Sequence, residues 1–235
     1  MKDQNKYVLV LIPGLDGTGI LFQPLKQITP CEIETIVVEY PRNKIITRNQ
    51  LVSTIEKQIP KDKPIVIVAE SFGGALVVEL LSKTDFNLKA VVFCASFARN
   101  PKKSLLWLSN FIPLSYLLRL SLPHWLIRYC CLDKNSPSLL ISMIEKSIKS
   151  VNPSVLANRL RSMNNVDVRN KTAQLTNIPC SFIQASKDKL VSKRSVLDFK
   201  KAIPNITVSE IKGPHFILQT NPEECWRVIR EYLVH

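Results

Sequence analysis

Three side chains far apart in the sequence could do chemistry together. Ser71 stands in "IVIVAESFGGALVVELL" (65–81), Asp188 in "SKDKLVS" (186–192) and His215 in "KGPHFILQT" (212–220). A serine hydroxyl is a poor nucleophile near neutral pH. It needs a base to take its proton, a group to orient that base, and donors for the oxyanion that forms on the substrate. Of the three histidines, His124 falls in a helical segment and His235 is the last residue, which leaves His215 as the candidate base. Asp188 is the candidate acid. Asp167 in "NNVDVRN" is the alternative, and Asp198 is expected to face solvent or an ion pair on a helix. The backbone N–H groups of Leu15 and Phe72 are the candidate oxyanion donors: one follows Pro13-Gly14 and the other follows the serine.

The elements around these residues must bring them to one place. Ile65 to Val68 alternate Ile and Val, as in a strand buried on both faces, and Ala75 to Leu81 read as a buried helix. Ser71 falls at the crossing, where only small neighbours fit, and Ala69, Gly73 and Gly74 supply them. This is the pattern of a nucleophile elbow. Strand-like runs recur at 7–12, 34–39, 64–69, 89–94, 179–185 and 206–211, with helical spacing between most of them. Alternation of this kind predicts a mainly parallel, doubly wound sheet of about six strands, in which loops after the strand C-termini share one edge. Ser71, Asp188 and His215 each follow a predicted strand. In "LIPGLDGTGILFQPL" (11–25), Gly17 and Gly19 are expected to keep side chains away from the site, and Asp16 and Thr18 to order the loop.

The alternation breaks between Phe97 and Val166. Ser136-Pro137 and Asn152-Pro153 each read as a capping residue before a first-turn proline, and apolar residues follow at helical spacing. The expected organisation is a core of 1–98 and 166–235 with a helical cap (lid) inserted at 99–165. The cap holds ten Lys or Arg, among them Lys102, Lys103, Arg119, Arg128 and Arg159, against Asp133 and Glu145. Within 104–132, which includes Trp107, Phe111, Tyr116 and Trp125, the residues Asn110, Pro113, Arg119 and Pro123 interrupt any spanning helix.

The formal charge of the 235-residue chain is +13, so an anionic partner is to be considered, but no nucleic-acid module is visible and none is expected to bind. The six cysteines form no Cys-x-x-Cys pair, and no metal or organic cofactor is expected. The apolar run 7–12 is too short for a signal-peptide core. The expectation is therefore a cytoplasmic protein with buried thiols, with the cap's basic positions offering peripheral contact to an anionic membrane surface.

With "PGLDGTG" after the first strand, "AESFGG" at the elbow and "GPHF" near the end, the chain resembles an α/β-hydrolase over nearly its whole length. The likeness is to small bacterial serine hydrolases, and the two N-terminal motifs also resemble those in the hydrolase part of plant phytyl ester synthases. That resemblance implies a Ser-Asp-His triad on Ser71, Asp188 and His215 and an acyl-enzyme mechanism. Ala69 replaces the first glycine of Gly-x-Ser-x-Gly, and no His-x-x-x-x-Asp acyltransferase signature is present. The expected substrate is a small carboxylic ester or thioester with an apolar acyl chain held beneath the cap. An acyltransferase using the same triad, or a non-catalytic lipid-binding protein on this fold, are the alternatives.

Overall fold

The computed structural model describes residues 7–101, 111–120 and 123–233. Six strands form where the apolar runs predict them: β1 (Val8–Ile12), β2 (Thr35–Val37), β3 (Ile65–Glu70), β4 (Leu88–Cys94), β5 (Cys180–Ala185) and β6 (Thr207–Ile211). They make one sheet in the order β2-β1-β3-β4-β5-β6, and every pairing is parallel. The run 34–39 shrinks to a three-residue edge strand, half-buried throughout, whereas β1 and β3 are buried at every position.

Side chains alternate across the sheet as a two-residue period demands. Val8, Val10 and Ile12 of β1 join Ile65, Ile67 and Ala69 of β3 in one core, and Leu9 and Leu11 join Val66 and Val68 in the other. Helix α1 (Gln23–Ile28) supplies Leu25 to the second core; α2 (Arg48–Glu56) and α3 (Phe72–Leu81) fill the first. Among the described residues, four helices with no strand between them follow β4: α4 (Leu114–Leu117), α5 (His124–Cys130), α6 (Ser138–Lys149) and α7 (Pro153–Ser162). The chain then returns to the sheet, and α8 (Arg194–Ala202), α9 (Ile217–Thr220) and α10 (Pro222–Arg230) complete the two covering layers.

Two local expectations are corrected. Ser136 does not cap α6: Pro137 occupies the N-cap, and the Ser136 hydroxyl donates to Asp133 Oδ1 (2.9 Å) instead. Asn152 does cap α7, accepting from the Ser154 N–H at 2.9 Å, with Pro153 in the first turn. Of the six cysteines, all free, three are buried and Cys31 is exposed, so they are not uniformly core thiols.

The topology decides where a site can form. β1 and β3 are neighbours, yet β2 lies outside β1 and β4 outside β3. The chain therefore leaves β1 and β3 in opposite directions, and a crevice opens beyond their C-terminal ends. The helical insert packs over that edge: Ile127, Leu140, Ile141 and Ile144 share a cluster with Leu21, from the loop after β1, and Phe216, from the loop after β6.

Candidate active site

The residue joining β3 to α3 is held in a conformation that most residues avoid. Ser71 has φ 50° and ψ −118°. Such backbone strain persists only where surrounding structure over-determines it. Here the Ser71 N–H donates to the Cys94 carbonyl (2.9 Å), and the buried Ser96 hydroxyl donates to the Ser71 carbonyl (2.7 Å). The two glycines behind the serine permit the close approach. A Cβ at Gly73 would lie 2.6 Å from the Pro13 carbonyl oxygen, and one at Gly74 only 1.8 Å from Ser96 Oγ.

His215 lies in the loop after β6 and is buried, with Nε2 3.1 Å from Ser71 Oγ and Nδ1 2.7 Å from Asp188 Oδ2. A carboxylate against Nδ1 requires the proton there, so Nε2 is the nitrogen free to accept from the serine. The other oxygen of Asp188 accepts from the Leu190 and Val191 N–H groups, both at 2.8 Å, which fixes the carboxylate's direction. Asp167 is engaged elsewhere. The Arg169 guanidinium binds both its oxygens (2.8 and 2.6 Å) and holds its carboxyl below the ordinary range. Asp198 is ion-paired to Arg99 at 2.7 Å, as expected of a helix position, but it is buried rather than solvated. His124 is an exposed partner of Glu145, and His235 lies outside the described residues.

Ser71 and His215 open onto a cavity of about 370 Å³. Its lining comes largely from the insert, with Leu118, Ile127, Ile144, Leu156, Leu160 and Met163, and Leu15 and Phe216 complete the wall on the sheet side. Neither the Leu15 nor the Phe72 N–H donates to a partner among the described residues. Gly17 and Gly19 have a different role from the one expected. Both adopt positive φ (66° and 70°), and a Cβ would strike Tyr40 at Gly17 and Val37 at Gly19, so they shape the loop rather than clear the site. Asp16 and Thr18 do order that loop, the carboxylate accepting from both the N–H and the hydroxyl of Thr18.

A model of the family described as "Serine aminopeptidase, S33" matches residues 48–214, which span the elbow and Asp188 and end just short of His215. The chain belongs to that family. No curated protein matches the sequence significantly. Among solved structures, this S33-family chain resembles a lipase-esterase related protein from Clostridium acetobutylicum (20% identity, 98% of this chain and 95% of that one, TM-score 0.76). It also resembles an esterase from Exiguobacterium antarcticum (10% identity, 97% and 92%, TM-score 0.81) and an enol-lactonase from Burkholderia xenovorans (13% identity, 98% and 92%, TM-score 0.79). The fold is the α/β-hydrolase fold.

Several residues of this hydrolase around the site were not singled out from the sequence. Glu70, one position before the serine, is buried, lines the cavity and accepts from Gln219 Nε2 at 3.0 Å. Burial raises its carboxyl to about 7, against the opposing effect of the Gln219 hydrogen bond. A carboxylate ending the run "IVIVAE" was the legible signal. Ser96 carried none, since a serine after a strand is common in turns. The insert's basic residues are less available than their number implies. Arg99 pairs with Asp198, Arg128 donates to the Asp133, Lys134 and Ser136 carbonyls, Arg161 donates to the Ile112 carbonyl, and Arg159 is buried. Lys102, Lys103 and Trp107 lie outside the described residues. No group of three or more His, Cys, Asp or Glu is arranged to hold a metal ion among the described residues.

Proposed function

We propose that the protein is a serine hydrolase that cleaves a carboxylic ester or thioester with an apolar acyl chain through an acyl-enzyme on Ser71. The observation that carries this reading is the hydrogen-bonded line Ser71–His215–Asp188 at the wall of an apolar cavity. In this reading His215 Nε2 takes the Ser71 proton as Oγ attacks the carbonyl, and Asp188 stabilises the imidazolium that results. The N–H groups of Leu15 and Phe72 receive the oxyanion. His215 then protonates the leaving alcohol or thiol, and water, activated by the same imidazole, releases the acid. The esterase neighbours support ester cleavage, and the predominance of aliphatic side chains in the cavity supports an acyl chain over a charged amino terminus.

Residues 99–165 act as a cap over this site, with 1–98 and 166–235 as the core. The insert's inner positions line the cavity, and its outer ones expose Phe111, Tyr116, Leu120, Trp125 and Tyr129. Among the described residues no helix is long and apolar enough to cross a membrane. The exposed aromatic residues of the cap, together with the exposed Arg119, fit peripheral contact with an anionic membrane surface.

The hydrolase reading is tested by fluorophosphonate labelling with the modified residue mapped, together with turnover of an ester and thioester series graded by acyl length. Labelling at Ser71 and a rise in kcat/KM with chain length are expected. Labelling elsewhere, or a preference for the shortest acyl group, overturns it.

A further inference from the structure

Arg159 belongs to the insert by sequence, yet its guanidinium ends beneath the loop that follows β1. It is only 4% exposed. Nη1 donates to the Leu15 carbonyl (3.1 Å) and the Asp16 carbonyl (2.6 Å), and Nη2 donates to the Pro41 carbonyl (2.7 Å). The guanidinium carbon lies 5.2 Å from the centroid of the Tyr40 ring, and the Tyr40 hydroxyl donates to the Pro13 carbonyl at 2.7 Å. Burial raises the Tyr40 phenol well above its usual range, so that hydroxyl remains a donor.

These bonds clamp the loop on both sides of one peptide group. Tyr40 holds the Pro13–Gly14 peptide through its oxygen, and Arg159 holds the Leu15–Asp16 peptide through its own. The peptide between them carries the Leu15 N–H. With both neighbours fixed, rotation of that N–H is suppressed even though glycine precedes it. The fork spreads two nitrogens over three backbone carbonyls, two from this loop and one from Pro41, a reach that a lysine's single ammonium cannot reproduce.

The helix that carries Arg159 has a second contact surface. In α7 and the turn after it, Leu156, Leu160 and Met163 line the cavity, while Asn158 Nδ2 donates to the Ile46 carbonyl (3.3 Å). One helix therefore touches both the cavity and the loop.

We propose that Arg159 is a positioning residue that aims the Leu15 N–H at the oxyanion and makes the competence of this donor depend on the insert being seated. The proposal rests on the serine hydrolase reading. A donor displaced by about 1 Å forfeits stabilisation that matters only when the oxyanion develops, so the loss falls on kcat.

The test compares wild type, Arg159→Gln, Arg159→Lys and Tyr40→Phe on a short-chain aryl ester, measuring kcat, KM and inhibition by an alkyl boronic acid that forms a tetrahedral adduct on Ser71. Arg159→Gln is expected to lower kcat by about 10- to 100-fold and to weaken the boronate by a similar factor, with KM within about threefold. Arg159→Lys, which keeps the charge but not the fork, and Tyr40→Phe, which frees the other flanking peptide, are expected to move the same two quantities together by smaller factors. If the Gln variant does not fold, the Lys variant carries the test alone. Wild-type kcat and boronate affinity in folded variants overturn the positioning role and leave hydrolysis intact. A wild type that neither turns over esters nor is labelled at Ser71 overturns both.

Discussion

Ser71 Oγ and His215 Nε2 stand 3.1 Å apart although the two residues are separated by 144 positions in the chain. Their meeting depends on parallel strands, which deliver the turn after β3 and the loop after β6 to the same edge of the sheet. Removing either partner should therefore abolish chemistry without disturbing that arrangement. Ser71→Ala is expected to lose fluorophosphonate labelling and to reduce ester kcat by at least about 10⁴-fold, with His215→Ala of comparable severity because the two act as a unit. Circular dichroism and thermal melting should show a folded protein in both cases. Residual labelling of the Ala variant would place the nucleophile elsewhere.

The two carboxylates weighed as the acid make opposite predictions. Asp188→Asn puts an amide against His215 Nδ1, favours the wrong tautomer and cannot stabilise the imidazolium, so kcat is expected to fall by about 10⁴-fold. Asp167→Asn breaks a surface pair with Arg169 and should leave kcat within about threefold. Steady-state kinetics on the two purified variants decide between them, and a larger loss at Asp167 would reverse the assignment.

Glu70 is expected to make stability depend on pH. Its folded-state value, about 7, lies above the ordinary 4.5, so between these values the folded protein retains a proton that the unfolded chain releases. Stability from this group is full below about 4.5 and is lost as pH rises to about 7, by up to roughly 3 kcal/mol. Glu70→Gln keeps an acceptor for Gln219 and cannot ionise. Urea denaturation at pH 5 and pH 8 should show the variant gaining on wild type at the higher pH. Parallel curves would mean that Glu70 titrates normally.

Gly74 has no room for a methyl group. Ala at this position would drive Cβ into Ser96 Oγ, at 1.8 Å, and bring it to 3.2 Å from Phe93 Cδ1. Gly74→Ala is expected to destabilise the protein by about 1–3 kcal/mol in urea unfolding. It should also lower turnover, because Ser96 is the residue that holds the Ser71 carbonyl. Unchanged stability would show that Ser96 moves aside freely.

The membrane proposal rests on the outer face of the insert, where Trp125 is 70% and Phe111 67% exposed. A Phe111→Ala, Trp125→Ala, Arg119→Gln variant should bind anionic vesicles several-fold more weakly than wild type in co-sedimentation, with the wild-type signal falling as salt rises. Ester kinetics in solution should not change, since none of the three residues lines the cavity. Equal, negligible binding by both proteins on neutral and anionic lipid would reduce this face to ordinary surface.

Much of the fold was legible because it is locally encoded. Strands buried on both faces read as unbroken Ile and Val runs, the elbow needs small residues at fixed offsets, and Asn152-Pro153 starts α7 where the capping pattern puts it. What the sequence could not determine was which side chains are spent on contacts with distant residues. Asp167 ranks below Asp188 in the sequence because Asp188 follows a predicted strand, but neither letter says what its carboxylate touches. The fold turns one toward Arg169 and the other toward His215. Arg159, on the same helical stripe as Leu156 and Met163, counted as one more positive charge on an insert. Only packing of that helix against the loop after β1 buries its guanidinium under three carbonyl oxygens. Gly17 and Gly19 likewise follow from contacts with Tyr40 and Val37, residues about twenty positions away. Periodicity and turn chemistry act over a few residues and so can be read along a chain. The partner of a charge or a glycine is chosen by the tertiary structure, because desolvation and steric contact act between whichever atoms the fold brings together.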